Sequence, residues 1–452
     1  MKKPKIGLEI HGYLLTKEKL FCRCKAEHGL KKASPNTNIC PICTGYPGSK
    51  PMLPNKEAIK KIIQIALMLN CKINKKFIWQ RKHYDWPDLP KGYQNTISGT
   101  HAIPVGEKGE FLGIKIREVH LEEDPASWNP ETGCVDYNRS GSPLVEIVTE
   151  PDFHTKEEVS LWLKQLVLTF SYIKALDKES GIKADVNISI YGDRAEIKNV
   201  NSISSIVRTI EYEVKRQEKE KPINRETRAW NDIKGKTEKM REKESGEDYR
   251  FISEPDLPVV NIDEKEIHEL KKNLPESPSK KLEKLIKRHK IPEKDAEVLT
   301  SNLELVEFFE EISQKISPSF ALPWITIELL RVLNYNKKIL GEVEIKPEHF
   351  SELLKAVQKQ KITKLKAKQI LNDFIPKSFS IKNKIKSEAT IDSSEEIESI
   401  VEKVIKKNKK AVEDFKSGEK SALNFLIGQI MKESNRRADF KTSKEILEKK
   451  LK

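Results

Sequence analysis

The segment Ile6-Gly7-Leu8-Glu9-Ile10-His11 carries the pattern that decides the fold of the first part of this chain. Its apolar side chains alternate with Gly7, Glu9 and His11, as in a β-strand whose two faces meet different surroundings. A carboxylate and an imidazole therefore lie side by side on the face opposite the core. We interpret this face as part of a functional site and not as ordinary surface.

Other segments repeat this concentration of charged groups. The groups that share a predicted strand face or a short run are Asp185 with Asn187 and Ser189, Glu196 with Lys198, Glu146 with Glu150, and His120, Glu122, Glu123 and Asp124. Taken singly, such an acid is more often a solvated residue than a ligand. Their repetition in successive strands predicts a sheet with an acidic concave side, which suits hard cations such as Mg²⁺.

Cations on such a sheet would hold the phosphate oxygens of ATP, and nearby positive side chains would stabilise a transferring phosphoryl group. Lys91, Arg139 and Lys198 are suited to this role, and together with Glu196 they are the candidate catalytic residues. The chain has no Gly-rich loop followed by Lys-Ser/Thr, which excludes a P-loop nucleotide site. It also lacks a Gly-x-Ser-x-Gly motif and a Gly-rich double-serine segment with a partner lysine, so hydrolysis of an amide such as glutamine by this chain is unsupported.

The six cysteines favour metal binding over disulfide bonds. Cys22 and Cys24 form one close pair, and Cys40 and Cys43 form another. Four thiolates can complete the tetrahedral shell of a structural Zn²⁺, with no position left open for catalysis. The alternative is four unrelated buried thiols. Cys71 and Cys134 stand alone, and we interpret them as ordinary thiols.

Three amphipathic helices are predicted in the first part of the chain. Asn55 caps one helix, Thr155 and Glu158 form a capping box before the second, and Ser202 precedes the third. After about Ile267 the pattern becomes helical, with Lys/Glu-rich faces and Pro at segment boundaries. The sequence therefore predicts an α+β protein with a catalytic domain at 1–265, a helical domain at 266–385 and a small helical tail domain at 386–452.

Composition limits the class of protein. At 452 residues the chain is long enough for two or three domains. It has no apolar stretch of the length that a membrane span needs, and its first residues lack a signal core, so we expect a cytoplasmic protein that does not interact with membranes. The net charge of +14 favours a polyanionic partner such as nucleic acid, although a generally lysine-rich composition would produce the same value.

Several motifs together resemble the B subunit of the heterotrimeric tRNA-dependent amidotransferase. The matching runs are Ile6–His11, Asp88–Gln94, His120–Asp124, Asp136–Leu144, Glu146–Asp152, Glu196–Ser202, Glu226–Arg228 with Trp230, Asp248–Phe251, Glu254–Pro258 and Ala422–Gln429. The resemblance covers essentially the whole chain.

The resemblance implies a cradle-shaped first domain with an antiparallel sheet, related to glutamine synthetase and guanidino kinases, followed by a helical domain and a tRNA-binding tail. It implies ATP-dependent phosphorylation of the side-chain carboxylate of Asp or Glu esterified to tRNA(Asn) or tRNA(Gln), and amidation by ammonia from an amidase A subunit. A small C subunit completes the heterotrimer. The resemblance assigns Mg²⁺ ligands to His11 and Glu123, with Glu9 and Glu150 as companions, and structural Zn²⁺ to Cys22, Cys24, Cys40 and Cys43.

Two segments depart from the family pattern: Asp124–Trp128 after the acidic run, and Lys183–Asn187, which lacks the usual Arg-Cys opening. Two other interpretations stay open. A kinase for a small carboxylate or guanidino metabolite would use the same acidic sheet, but it leaves the helical third unexplained. A zinc-stabilised RNA-binding scaffold would use Lys403, Lys406, Lys407, Lys409 and Lys410, but it leaves the acidic strand faces unexplained. The sequence does not decide between aspartyl-tRNA and glutamyl-tRNA.

Overall fold

The computed structural model describes residues 2–26, 33–177, 180–221, 224–242, 249–382, 388–391 and 393–451. Asp248 of the quoted motif Asp248–Phe251 lies outside these ranges. The chain forms two compact units, Met1–Pro278 and Ser279–Lys452.

The first unit combines a large sheet with four helices. Its strands are β1 (Lys5–Tyr13), β2 (Lys72–Ile73), β3 (Lys76–Phe77), β4 (Gln80–His83), β5 (Gln94–Thr96), β6 (Gly106–Phe111), β7 (Ile114–Glu123), β8 (Ser127–Trp128), β9 (Val135–Asp136), β10 (Pro143–Thr149), β11 (Ile182–Ser189), β12 (Ala195–Val200), β13 (Glu226–Asn231), β14 (Lys236–Glu242), β15 (Arg250–Ser253) and β16 (Val260–Asn261). Its helices are α1 (Lys56–Met68), α2 (Lys156–Tyr172), α3 (Ile203–Glu220) and α4 (Glu264–Lys272).

Twelve of the described strands form one sheet. Its main path runs β14-β13-β12-β11-β1-β10-β7-β5-β4-β15, and β6 joins β2 to β7. Neighbouring strands are antiparallel except β12 and β13, which are parallel and connected through α3. The structure thus confirms a mixed α and β protein with a large, mostly antiparallel sheet.

The apolar face of the sheet packs against the helices. Ile6, Leu8 and Ile10 of β1 are buried in a core that includes the apolar stripes of α1, α2 and α3. The three predicted helix starts are confirmed: Asn55 accepts hydrogen bonds from the first turn of α1, Thr155 and Glu158 form a capping box, and Ser202 caps α3. The opposite face of β1 is left for polar groups.

The first compact unit extends past the predicted domain boundary at residue 265. Helix α4 begins at Glu264 and packs against α1, and its Leu270 belongs to the same core as the sheet. The unit therefore ends at Pro278. The limit at residue 265 follows the change to a helical pattern, and it stays a prediction.

The second unit is helical in its described residues. Its helices are α5 (Pro278–His289), α6 (Glu293–Thr300), α7 (Leu303–Ser313), α8 (Pro318–Pro323), α9 (Leu330–Tyr335), α10 (Pro347–Gln358), α11 (Lys364–Asn372), α12 (Ser394–Lys407), α13 (Lys409–Lys416), α14 (Lys420–Glu433) and α15 (Phe440–Leu451), with a π-helical turn at Trp324–Leu329 and a 3₁₀ turn at Leu340–Glu342.

Helices α12 to α15 share a hydrophobic core of their own, drawn from Ile391–Leu451. This core supports the predicted helical tail, although the boundary at residue 385 stays a prediction. In the part of the chain that the structure describes, every helix is too short or too polar to cross a membrane.

Candidate active site and cysteine cluster

A polar cavity of about 1140 Å³ lies on the face of the sheet opposite the helices. Its floor is formed by charged side chains of β12, β11, β1, β10 and β7, which are neighbours in the sheet. Tyr84, Trp86 and Trp128 add aromatic groups to its wall. The predicted acidic side of the sheet is therefore a real concave surface.

The strand register brings the charged groups together. His11 of β1 lies opposite Glu146 of β10, and Glu146 lies opposite His120 of β7. On the other side of β1, Glu9 lies opposite Asp185 of β11. Directly opposed residues in antiparallel strands have neighbouring side chains, so residues distant in sequence form two compact groups.

The first group consists of His11, Glu122 and Glu146, whose potential ligand atoms lie within 4.8 Å of one another. His11 Nε2 is 3.8 Å from Glu146 Oε2. Burial acts to lower the pKa of His11, but the hydrogen bond and charge of Glu146 raise that pKa to about 9. Burial also raises the pKa of Glu122, and the charge of Glu146 adds to this effect. A cation here would relieve the repulsion between the two carboxylates.

The second group consists of Glu9, Asp185 and Glu196, again with ligand atoms within 4.8 Å. Lys198 Nζ lies 2.7 Å from Asp185 Oδ2 and also pairs with Glu196. Burial acts to lower the pKa of Lys198, but Asp185 and Glu196 raise it above its usual range. Asn187 Nδ2 donates a hydrogen bond to Glu9 Oε1 at 3.2 Å. Lys198 therefore provides the positive charge that keeps these acids together.

Arg139 forms part of the cavity wall and makes a bidentate ion pair with Asp124. Its Nε lies 2.6 Å from Asp124 Oδ2, and its second donor lies 2.8 Å from Asp124 Oδ1. The charge of Asp124 raises the pKa of Arg139 above its usual range. Tyr13 donates a hydrogen bond to the same carboxylate at 2.6 Å. This bidentate geometry fixes the plane of the guanidinium group.

The structure places the predicted ligand Glu123 and the predicted catalytic residue Lys91 outside the cavity lining. Side chains alternate along β7, so Glu122 faces the cavity while Glu123 lies on the other face. Glu123 pairs there with Lys91 and accepts a hydrogen bond from the Asn95 amide at 2.9 Å. Glu122, and not Glu123, lies beside His11 and Glu146 in the cavity.

Glu150 also lies outside this cavity lining. The pairing of β10 shifts between Val148 and Thr149, and the strand ends at Thr149. Glu150 follows the last residue of β10 and does not line the cavity. Its carboxylate instead pairs with Arg117, with Nε and Oε1 3.0 Å apart.

Lys82 is a cavity residue that no sequence pattern indicated. This lysine lines the cavity, and its ammonium lies 4.7 Å from the centre of the Tyr249 ring. Burial acts to lower the pKa of Lys82, but Glu122 and Glu146 raise it. Strand β4 reads Gln-Arg-Lys-His and has no apolar alternation that could reveal which side chain faces the cavity. Apolar alternation of this kind was present beside Glu122, because the neighbouring Leu121 is apolar, and the structure shows that Leu121 is buried.

The four paired cysteines converge as predicted. The sulfur atoms of Cys22, Cys24, Cys40 and Cys43 lie within 4.8 Å of one another. Sulfurs around a tetrahedral Zn²⁺ with bonds of about 2.3 Å would be separated by roughly 3.8 Å, and Cys40 Sγ is 3.9 Å from Cys43 Sγ. The hydrogen bond from Cys22 lowers the pKa of Cys43 to about 4. The donor set therefore fits a structural Zn²⁺.

Fold and site together define a protein whose large sheet carries a polar cavity with two candidate cation-binding groups. A cysteine cluster lies in the same compact unit, and a helical region follows along the chain. Comparison with known proteins identifies the family. The family model for the "GatB/GatE catalytic domain" matches residues 4–268, and the "GatB domain" matches residues 307–451. The chain belongs to this family of amidotransferase subunits.

Curated relatives match over nearly their full length, and each is named as the B subunit of an aspartyl/glutamyl-tRNA(Asn/Gln) amidotransferase. The protein of Methanocaldococcus jannaschii is 44% identical, with 99% of this chain and 98% of the relative covered. That of Methanothermobacter thermautotrophicus is 42% identical, with 99% and 100% covered. That of Methanopyrus kandleri is 39% identical, with 100% and 99% covered.

Proposed function

We propose that this chain is the ATP-dependent subunit of an aspartyl/glutamyl-tRNA amidotransferase. It transfers the γ-phosphoryl group of ATP to the side-chain carboxylate of Asp-tRNA(Asn) or Glu-tRNA(Gln), releasing ADP. Ammonia then attacks the activated carbonyl, phosphate leaves, and the amide forms. The reaction makes the chain part of a carbon–nitrogen ligase that uses glutamine as the amide donor.

The observation that carries this proposal is the pair of acidic groups on one cavity floor. His11, Glu122 and Glu146 offer one imidazole and two carboxylates, and Glu9, Asp185 and Glu196 offer three carboxylates. Oxygen-rich donor sets of this kind suit Mg²⁺. When bound, Mg²⁺ would neutralise charge on the phosphate oxygens.

The remaining charged groups of the cavity have distinct proposed roles. Lys198 and Lys82 line the cavity beside the acids and supply positive charge where a phosphoryl group would be transferred. Arg139 is held by Asp124, so its exposed edge can orient an anionic substrate without a change of side-chain conformation. Glu196 acts through its ion pair with Lys198, which it holds in place.

The proposal includes partners and a second metal. An amidase A subunit would supply ammonia and a small C subunit would complete the heterotrimer, since the chain has no amidase motif. Zn²⁺ would bind the four paired cysteines. The helical tail would bind tRNA, and the cradle would be of the glutamine synthetase and guanidino kinase type.

The decisive experiment compares Glu122→Gln and Glu146→Gln with the control Glu150→Gln. Each substitution removes one carboxylate charge at nearly constant volume, but Glu150 lies outside the cavity lining. In the assembled complex, the first two should reduce ADP release and amidated tRNA by on the order of a hundredfold or more. Glutamine hydrolysis should persist in all three, and the control should retain ligase activity. Full tRNA-dependent ATP cleavage by folded Glu122→Gln and Glu146→Gln would contradict the proposal.

The same assay tests the choice of substrate. ATP cleavage is measured with aspartyl-tRNA, with glutamyl-tRNA and with free glutamate, in the presence and absence of the partner subunits. Activity with free glutamate alone would favour a kinase for a small metabolite over the proposed function. ATP cleavage that needs an aminoacylated tRNA would support the proposed function, and the relative rates would identify the substrate.

A further inference from the structure

Lys19 is a fully buried lysine beside the cysteine cluster. Its side chain is only 1% exposed. Within the described residues its ammonium contacts backbone oxygens and one sulfur, but no carboxylate. Burial of an ammonium group without a compensating anion is strongly unfavourable. The compensation must therefore come from these three contacts.

Only one of the three contacts can carry a full negative charge. Lys19 Nζ lies 2.9 Å from Asn38 O, 3.3 Å from Tyr137 O and 3.4 Å from Cys43 Sγ. The two carbonyls are neutral dipoles, whereas Cys43 is a thiolate whenever it binds a metal. Four thiolates around one divalent cation also leave a net negative charge, which an adjacent ammonium group reduces. Lys19 and a metal-loaded cluster are thus electrostatically complementary.

The same ammonium joins two separate segments of the chain. Asn38 lies between the two cysteine pairs, and Tyr137 lies two residues before Arg139 of the cavity wall. Further hydrogen bonds link these regions: Ser140 Oγ donates to Cys43 O at 2.7 Å, and the Leu20 amide donates to Gly141 O at 2.8 Å. The segment Val135–Ser142, here called the Arg139 segment, is therefore attached to the cysteine cluster.

We propose that Lys19 is a positioning residue that couples metal binding at the cysteine cluster to the placement of the Arg139 segment in the cavity wall. The coupling runs through a hydrogen bond to the Cys43 thiolate on one side and to the Tyr137 carbonyl on the other. This inference rests on the proposed metal site at the four cysteines.

The first test is spectroscopic and uses the full-length chain loaded with Co²⁺ in place of Zn²⁺. Lys19→Met keeps an unbranched chain that is only one atom shorter, and it removes the charge and the hydrogen-bond donors. Loss of the hydrogen bond to sulfur raises the energy of the thiolate lone pairs, so the thiolate-to-cobalt charge-transfer band should move to longer wavelength. Affinity for the metal should fall by about tenfold to a hundredfold, as for other outer partners of metal ligands.

A matched control is Lys61→Met. Lys61 is also largely buried, at 12% exposure of its side chain, and it donates to the Lys174 carbonyl at 2.7 Å without touching the cluster. Its substitution should change neither the charge-transfer band nor the metal affinity. A wild-type chain that takes up no metal would overturn the metal site itself. Normal uptake with identical spectra and affinities for wild type and Lys19→Met would overturn only the role of Lys19.

The second test measures the coupling by hydrogen exchange of the Arg139 segment. In the wild type, removal of the metal by a chelator should increase exchange in this segment. In metal-loaded Lys19→Met, exchange should be increased already. Ser140→Ala removes a different link between the two regions, so it should increase exchange without shifting the charge-transfer band. Unchanged exchange in the Arg139 segment of wild type after metal removal would contradict the coupling.

A measurement on the wild type keeps the test valid if Lys19→Met does not fold. Reductive methylation, read by mass spectrometry, reports the accessibility of each lysine. Lys19 should resist methylation in the metal-loaded chain and react after the metal is removed, while Lys61 should react at the same rate in both states. Equal reactivity of Lys19 in both states would overturn the proposal.

Discussion

Glu123 and Lys91 form an ion pair on the face of β7 that points away from the cavity. The two side chains are 7% and 14% exposed, so removal of one charge leaves the other without a partner in a largely buried place. We expect Glu123→Gln to lower the free energy of unfolding by about 3 kcal/mol, in the range measured for broken buried pairs. Chemical denaturation of the purified chain measures this change.

A double-mutant cycle completes this test. Lys91→Met together with Glu123→Gln removes both charges, so the double variant should be more stable than Glu123→Gln alone. Metal binding in the cavity should be unaffected by Glu123→Gln, because Glu122 and not Glu123 faces it. A folded Glu123→Gln protein with normal stability but no metal-dependent ATP cleavage would favour the original assignment of Glu123 as a ligand.

The contrast between these two glutamates shows how far single residues can be predicted from sequence. The alternation of Ile6, Leu8 and Ile10 correctly placed Glu9 and His11 on the polar face of β1. In β7 the apolar Val119 and Leu121 alternate with His120 and Glu122, which places Glu122 on the polar face, but the run of adjacent acids obscured this pattern, and one position decides which face a side chain occupies. The structure resolves this choice through the register of β7 with β10.

At the level of elements, helix α15 depends on one acidic cap. Asp439 Oδ1 accepts hydrogen bonds from the Thr442 amide at 2.9 Å and from the Thr442 hydroxyl at 2.8 Å. The backbone hydrogen bond from Thr442 lowers the pKa of Asp439 below its ordinary value. A lowered folded-state pKa means that the carboxylate stabilises the helix above the unfolded-state pKa of about 3.9. This stabilisation is lost as pH falls through the folded-state pKa.

We therefore expect Asp439→Asn to make the stability of α15 less dependent on pH between about 5 and 3, because asparagine still caps but does not titrate. Asp439→Ala should cost about 1 kcal/mol at neutral pH. Hydrogen exchange of Phe440–Leu451, corrected for intrinsic rates, gives the opening free energy at each pH. Glu448→Gln, which removes a charge later in the same helix, is the control. An unchanged acid dependence in Asp439→Asn would contradict the assigned cap.

Local sequence signals predicted where the helices begin better than they predicted irregularities in strand pairing. The caps Asn55, Thr155 and Ser202 act on their own first turns, so the sequence around each contains the necessary information. The pairing shift between Val148 and Thr149 depends on the partner strand β7, and nothing in the sequence of β10 alone reveals it. Glu146 lines the cavity, whereas Glu150, which follows the end of β10, does not.

At the scale of the whole molecule, the sequence indicated a sheet-containing region followed by a helical region, but it did not show that α4 belongs to the compact unit of the sheet, which ends at Pro278. Helix α4 has a Lys- and Glu-rich pattern like the helices that follow, yet its Leu270 completes the core of the sheet. The parallel pairing of β12 with β13 was likewise not foreseen, because it depends on the crossover through α3. Both features come from contacts between distant parts of the chain.

The helical tail contains a lysine-lined groove that could serve the proposed tRNA contact. Its cavity of about 450 Å³ between α13 and its neighbours is lined by Lys407, Lys409 and Lys410, by the acids Asp414 and Glu419, and by Phe425. Lys407 pairs with Glu433 at 2.9 Å. Among the described residues, Lys409 and Lys410 have no carboxylate within ion-pair distance, so their charges are available to phosphate groups. A solvated helix face without a ligand is the alternative.

We expect the double substitution Lys409→Ala and Lys410→Ala to weaken tRNA binding by the full-length protein at low salt. Each lysine that contacts a phosphate releases about one counterion on binding, so its loss should reduce the slope of log affinity against log salt by about 1. Titrations of labelled tRNA at several salt concentrations measure this slope.

The control is Lys441→Ala with Lys444→Ala, which removes the same charge from α15 of the same tail. A slope that falls equally in both double variants would indicate a general effect of net charge, whereas unchanged affinity in Lys409→Ala and Lys410→Ala would identify the groove as ordinary surface. Because neither lysine lines the cavity, ATP cleavage at saturating tRNA should be preserved, which separates a defect in docking from a defect in chemistry.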